Sequence, residues 1–456
     1  MLPKMTPTNQ PNLFYGSLMD MLDRNDPLIA LADVIDWNKI EEALRGYYCM
    51  DKGRPAKPLR LMAGLLMLKY LENLSDENVV VQWKRNPYYQ YFCGLSDYQC
   101  GLPCDATELV KFRNRIGQGG IDAIFGASVA LHPEASNESH VIIDSTAQEK
   151  HITYPTDGKL AIKMIHALHK IAKREGIALR RTYLKEIKEH RITLRFFRHP
   201  KKKHKARSAM KRLRTIAGIV MRDMQRSFTP EQIAFYAEQF SLYTKVLLQK
   251  RSDKDKIYSL HEPHIYAMAK GKDHKSYEFG VKASVVTTYT HGIVVGAVAH
   301  ESNEHDSKTL KAVLTHASTH RHTPIQRATC DRGYRGIKEV NTTHICIPGI
   351  HLKRDTKEEK EHKRKQFRRR AAIEPTIGHL KHDHRMARNY LKGFIGDQIN
   401  LLMAACAWNL KKWMNIFIHA LFLAKNYRQM IVSTQYIKLY GTMWIWLWWL
   451  QRENRP

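Results

Sequence analysis

Ser139-His140-Val141-Ile142-Ile143-Asp144-Ser145-Thr146 carries a short apolar, β-branched run that ends in a carboxylate. That pattern predicts a buried strand with an acid at its end. Two more acids stand in comparably marked contexts. Asp331 follows a strand-like segment from Ile325 to Cys330 and precedes Arg332-Gly333-Tyr334-Arg335-Gly336, and Glu374 lies in Phe367-Arg368-Arg369-Arg370-Ala371-Ala372-Ile373-Glu374-Pro375. Acids from such distant segments, in a basic chain, point to a metal site that cuts DNA.

The basic character is strong: 74 Lys and Arg against 44 Asp and Glu leave a formal charge of +30. A field of that sign and size favours a polyanionic partner. The excess is concentrated between Arg195 and Arg214, which holds ten Lys or Arg and no carboxylate. Lys201, Lys202, Lys203 and Lys205 are its phosphate-binding candidates, against the plainer reading of a solvated helix face. The N-terminus lacks the charged-then-apolar pattern of a signal peptide, so cytoplasmic residence and reduced cysteines are expected. Cys93, Cys100 and Cys104 lie close together, but a structural zinc site needs four protein ligands, usually as two close pairs, and no second pair follows. Buried or incidental thiols are the expectation.

A chain of 456 residues, 43% hydrophobic, supports two or three domains. Residues 17 to 125 carry helical patterning, with Leu59 to Leu68 as an apolar helix and Ser75 and Asp76 as a cap for the next. The interleaved cations and aromatics of Trp83 to Phe92 could stack bases, although such spacing more often builds core. From Ser139 the pattern turns to strands, including Phe279 to Val286 and a hairpin partner from Ile293 to Ala299. Asp306 or Ser307 is expected to cap the helix that follows. The predicted division is a helical DNA-binding or assembly domain at 1–130, a strand-rich core at 138–158 and 257–415, a basic helical insertion at 159–256, and a helical tail at 416–456. The Trp-rich run Met443 to Leu450 is too short to span a bilayer, so a docking helix is expected and no membrane partner.

Mg²⁺ prefers oxygen ligands and is usually held by one or two carboxylates plus substrate phosphate. Two ions about 3.5–4 Å apart can activate an attacking oxygen and stabilise the leaving one. Neighbouring strand ends could bring Asp144 and Asp331 together. Arg370, Glu374 and Lys381 recur at helical spacing, offering one ligand flanked by two phosphate-binding cations, provided Pro375 falls in a first turn. Each has a plainer alternative: Asp144 or Asp331 could cap a turn, and Glu374 could simply pair with Arg370 on a surface. Asp306 reads as a helix cap and Asp157 as a runner-up acid. His379, His382 and His384 read as solvated or phosphate-contacting groups.

At these residues the chain resembles the DDE transposases of bacterial insertion sequences, specifically the insertion-sequence-five group, over most of residues 15 to 415. The family signature places Tyr, Arg, Glu and Lys at the intervals occupied here by Phe367, Arg370, Glu374 and Lys381, so Phe367 lacks the usual hydroxyl. Ile143-Asp144-Ser145-Thr146, Tyr154-Pro155-Thr156-Asp157, Tyr258-Ser259-Leu260-His261-Glu262-Pro263, Tyr277-Glu278-Phe279-Gly280 and Asp331-Arg332-Gly333-Tyr334 are similar to further family segments, as are Leu74-Ser75-Asp76-Glu77 and Asn86-Pro87-Tyr88-Tyr89. The resemblance implies an α/β fold: an RNase H-like mixed sheet with flanking helices, interrupted by a helical insertion and preceded by an all-helical N-terminal domain. It also implies Asp144, Asp331 and Glu374 as catalytic metal ligands for two Mg²⁺ or Mn²⁺ ions. The implied substrates are element-end inverted repeats and target DNA, handled by a homodimer or larger assembly. The competing classes are an inactive DNA-binding descendant of a transposase and a metal-dependent nuclease without strand transfer.

Replacing Lys201, Lys202, Lys203 and Lys205 with neutral residues should flatten the salt dependence of DNA binding by about one unit of slope per lost phosphate contact. An unchanged slope would remove this segment from the interface.

Overall fold

The computed structural model describes residues 2, 17–49, 51–250, 252–272, 275–349, 352 and 354–453, with backbone alone at 270–272, 275 and 427–453. Helices α1 (Leu18–Met21), α2 (Pro27–Val34), α3 (Trp37–Arg45), α4 (Leu59–Leu71), α5 (Asp76–Arg85), α6 (Pro87–Phe92), α7 (Ala106–Ala130) and α8 (Pro133–Ser136) come first. Their starts are chemically marked. Asp26 accepts the Leu28 N–H with Pro27 at the first helical position, Ser75 accepts the Asn78 N–H, and Asp105 forms a capping box with Glu108. Helix α4 is apolar nearly all round and correspondingly buried. Gly117, at φ 54°, kinks α7, because that left-handed conformation is costly for a residue with a Cβ.

The sheet begins with β1 (His140–Glu149), which is longer than its apolar run suggests. It continues past Asp144 because β3 (Lys275–Thr288) is long enough to pair with it antiparallel from Val141↔Thr288 to Glu149↔Gly280. Asp144 therefore sits within the strand, not at its end. The other edge of β3 is shared by β2 (Tyr266–Lys272) and β4 (Val294–His300), both antiparallel. On the far side of β1 lie β5 (Arg327–Thr329) and then β7 (Thr343–Cys346), both parallel, with β6 (Glu339–Val340) antiparallel to β7.

Between β1 and β2 in the chain come α9 (Asp157–Arg174), α10 (Leu184–Thr193), α11 (Lys203–Ser227), α12 (Pro230–Phe235) and α13 (Ala237–Leu248). They bury their own cluster, including Leu168, Leu213 and Met224, separate from the main core. That main core runs without a break from α4 through the sheet to the last helix. After β4, α14 (Asp306–Thr319) lies on the sheet so closely that a Cβ on Gly296 would come within 2.7 Å of the Ala317 Cβ. The cap of α14 is His305, which accepts the Ser307 N–H, so Asp306 is its first residue and keeps its carboxylate for other partners.

The chain ends in α15 (Lys357–Ala371), α16 (Ile373–His382) and α17 (Gly393–Glu453). The closing helix expected over Gln398 to Met414 is thus one continuous rod, and its backbone has no break at 416. The side chains of the Trp-rich run lie outside the described residues. Among the described residues, no helix is long and apolar enough to cross a membrane. The start of α17 is locked by buried charge. Lys150 Nζ lies 2.9 Å from Asp397 and 3.3 Å from Glu262, His264 reaches Asp397 at 2.8 Å, and Glu262 accepts the Gly393 N–H at 3.1 Å. Removing one member of such a network typically costs about 3–5 kcal/mol, because it strands the remaining charge.

The β1–β3 pairing allows a direct test. A Cβ on Gly280 would fall 1.9 Å from the Gln148 carbonyl oxygen, whereas one on Gly46 meets nothing within 4 Å. Gly280→Ala should lose at least about 2 kcal/mol in urea unfolding, while Gly46→Ala should be nearly neutral.

Candidate active site

Strand register brings the first two acids together. Ile142 pairs with Thr329 across the parallel β1–β5 ladder. Two residues further along both chains, Asp144 and Asp331 face one another across strands roughly 5 Å apart. Asp331 leaves the ladder by capping the turn Arg332–Tyr334, its Oδ1 accepting the Gly333 N–H at 2.8 Å. Asp144 Oδ1 accepts the Ser145 N–H at 2.7 Å, and its Oδ2 lies 4.0 Å from Arg370.

Helix α16 supplies the third acid through apolar docking. Ile373 and Ile377, four apart on one helix face, bury against Ile142. Ile142 lies two residues from Asp144 and so on the same face of β1, which turns Glu374 toward the strand acids. Pro375 does no harm there: it is the third residue of α16, within the first turn, where its missing N–H breaks no helical bond. The helix axis breaks at Ala372, so Arg370 and Glu374 belong to consecutive helices. Arg370 spans the break, donating to Glu374 Oε1 at 2.7 Å. The simple ion pair and the metal-ligand reading therefore share the same residue. Lys381 lies seven residues along the same helix face, about 10 Å from Glu374.

Electrostatics at this point are unresolved by the protein alone. Burial above all, with the charges of Asp331 and Glu374, pushes the Asp144 carboxyl up to about 6, against the opposing pull of the Ser145 N–H and Arg370. A buried carboxylate flanked by two further carboxylates is a donor set whose charge a hard divalent cation relieves.

Several neighbours escaped the sequence reading. Asp306 accepts from the Ser145 hydroxyl and from Lys282 Nζ, each at 2.9 Å. A Cβ on Gly333 would lie 3.0 Å from both Asp306 and Asp331, so this glycine lets the two carboxylates close on the turn. Asp306, paired with Lys282, ties the start of α14 to β1 and β3 and lies beside the Asp331 turn. Its only sequence signal was an acid in a helix's first turn. Phe367 retains a use without a hydroxyl, since the Arg370 guanidinium sits 5.4 Å from its ring centre.

Other candidates fall elsewhere. His384 is buried and bonds the Tyr70 carbonyl, so it is not the solvated or phosphate-contacting group expected, whereas His379, its side chain 53% exposed, stacks on Trp408 and pairs with Asp383. Asp157 lies in the first turn of α9. Lys201, Lys202, Lys203 and Lys205 are exposed at the start of α11, on the separate helical cluster, with Lys202 over the Phe196 ring. Cys93 and Cys104 are buried and Cys100 is exposed.

Comparison with known proteins is consistent with this chemistry. Residues 16–115 match the family described as Transposase domain (DUF772), and residues 252–410 match Transposase DDE domain. An uncharacterized protein, ORF8 in the nfe locus of Rhizobium meliloti, is 37% identical over 206 residues, covering 44% of this chain and 98% of that protein. No solved structure matches.

The raised Asp144 pKa has a signed consequence. A carboxyl whose folded pKa exceeds its unfolded value contributes fully below about 4, and that contribution is lost as pH rises through about 6. Without metal, Asp144→Asn should therefore gain stability relative to the parent between pH 4 and pH 7, by up to about 3 kcal/mol. Parallel urea titrations of both proteins would measure it, and a pH-independent difference would contradict the assigned environment.

Proposed function

This chain belongs to the DDE transposases, enzymes that cut and join DNA with divalent metal, and we propose that Asp144, Asp331 and Glu374 are its three catalytic acids. The observation that carries the proposal is the convergence of a β1 acid, an acid just beyond the end of β5 and an α16 acid, close enough that Asp331 and Glu374 add to the burial that raises the Asp144 pKa. The sheet supports an RNase H-like core: antiparallel β4, β3 and β1, then parallel β5 and β7, with α9 to α13 as a basic insertion. The signature around Glu374 supports the insertion-sequence-five group.

The carboxylates of Asp144, Asp331 and Glu374 would hold two ions, Mg²⁺ or Mn²⁺. Such ions, when bound, supply the Lewis acidity that activates an attacking oxygen and stabilises a leaving one. The protein's own groups set up that chemistry. Asp144 must be ionised to serve, and its raised pKa makes it a poor ligand in acid. Arg370, its side chain only 14% exposed, holds Glu374 toward the strands and has further guanidinium donors for an entering phosphate. Lys381 would bind backbone further along the DNA, and the α11 lysines further still. Water would attack first, freeing a 3′ hydroxyl at the element end, and that hydroxyl would then attack a target phosphodiester at the same acids. The substrates are the element's inverted repeats and target DNA, paired in a dimer or larger assembly in the cytoplasm.

The test uses pre-cut inverted-repeat ends, uncut ends and target DNA with Mg²⁺. Joined products are expected from the parent protein, and Asp331→Asn should cut and join at least about 100-fold more slowly while still binding the ends. Cleavage without joining would indicate a nuclease, and retention alone a DNA-binding descendant. Full activity in Asp331→Asn would overturn the residue assignment.

A further inference from the structure

A second cluster of ligating side chains lies where the N-terminal helices meet the catalytic sheet. His316 and His320, four residues apart, project from one face of α14 toward Asp122 on the part of α7 beyond the Gly117 kink. Their Nε2 atoms lie 2.8 and 3.1 Å from the same Asp122 Oδ1, and the three candidate ligand atoms fall within 4.8 Å of one another. The position is about 15 Å along α14 from Asp306, well away from the catalytic acids.

The surroundings hold both rings in place. Phe125 packs against His316 and His320 at centroid distances of 5.8 and 5.2 Å. A Cβ on Gly126 would approach His320 Nδ1 to 2.7 Å, so the ring needs a glycine at that point of α7. The histidine side chains are 12–13% exposed and Asp122 is 31% exposed, which leaves one approach open to solvent.

We propose that Asp122, His316 and His320 form an open Zn²⁺ site bridging α7 and α14, three protein ligands with solvent in the fourth position. Two imidazoles and one carboxylate suit zinc, whereas Mg²⁺ prefers oxygen alone. Tetrahedral zinc with bonds of about 2.0–2.1 Å sets its ligand atoms about 3.3 Å apart, so the two His–Asp spacings of 2.8 and 3.1 Å need only small adjustment and the two Nε2 atoms, within 4.8 Å of each other, close by at most about 1.5 Å. Metal at this point replaces the two hydrogen bonds from the His Nε2 atoms to Asp122 Oδ1, and by moving the His316 ring proton to Nδ1 it also gives up the 3.3 Å bond from the Ala297 N–H. Three metal–ligand bonds outweigh that loss. Zinc here would hold the helical N-terminal part against the sheet while leaving the three catalytic acids to their own ions.

The test takes tag-free, chelator-stripped, full-length protein. Calorimetric titration with Zn²⁺ should show one tight equivalent, and Asp122→Asn or His320→Gln, each checked for folding by circular dichroism, should weaken it at least about 10–100-fold. Unaltered affinity in both folded variants would overturn the site. Should a variant fail to fold, Co²⁺ added to the parent protein decides: strong visible bands of a tetrahedral nitrogen-containing site support the proposal, and the weak bands of an all-oxygen octahedral site overturn it.

Discussion

Strand β1 is paired along nine residues with β3 and in parallel register with β5, and this double pairing is the constraint on which the rest depends. A slip of one residue would turn Asp144 to the other face and bury Ser145 in its place. Gly280 opposes such a slip, because a residue with a Cβ brought to its place opposite β1 would fall 1.9 Å from the Gln148 carbonyl oxygen. Register thus fixes the position of an acid. Asp331 then follows by geometry, since the parallel ladder carries the same offset past the last paired residue.

The acidic face formed by Asp144, Asp331 and Glu374 is a balance between packing that forces acids together and charges that resist. Ile373 and Ile377 dock on Ile142 and bring Glu374 toward the strand acids, and Arg370 offsets part of the repulsion by holding Glu374 and lying near Asp144. One guanidinium does not neutralise three carboxylates, and burial first, with the charges of Asp331 and Glu374 added, raises the Asp144 pKa. Apolar contact does the positioning, and bound divalent metal would remove the remaining cost.

Beneath this face, other charged groups act as framework. Asp306, held by Lys282 and Ser145, ties the start of α14 to β1 and β3 beside the Asp331 turn. Lys150, Glu262, His264 and Asp397 fasten the start of α17 to the end of β1. Glu262 comes from one of the family-like segments, yet its work is to hold a helix terminus. A chain-level motif can therefore mark architecture as readily as chemistry.

The three acids, the helical N-terminal part, the strand run near Ile142 and the basic stretch near Lys201 were legible in the sequence, because local propensity and composition mark them directly. The family signature also tied Phe367, Arg370, Glu374 and Lys381 into one segment. Strand length was not legible: β1 runs through Ser145 to Glu149 because β3 supplies partners for polar residues that no apolar pattern announces. The fate of Pro375 was also undecided until the helix broke at Ala372 and left the proline in a first turn. Asp306, and the meeting of Asp122 with His316 and His320, had no sequence signal of comparable strength, because the partners are distant in the chain and share no local pattern. Local chemistry is written along the chain, whereas proximity is set by register and packing, and only the tertiary structure decides those.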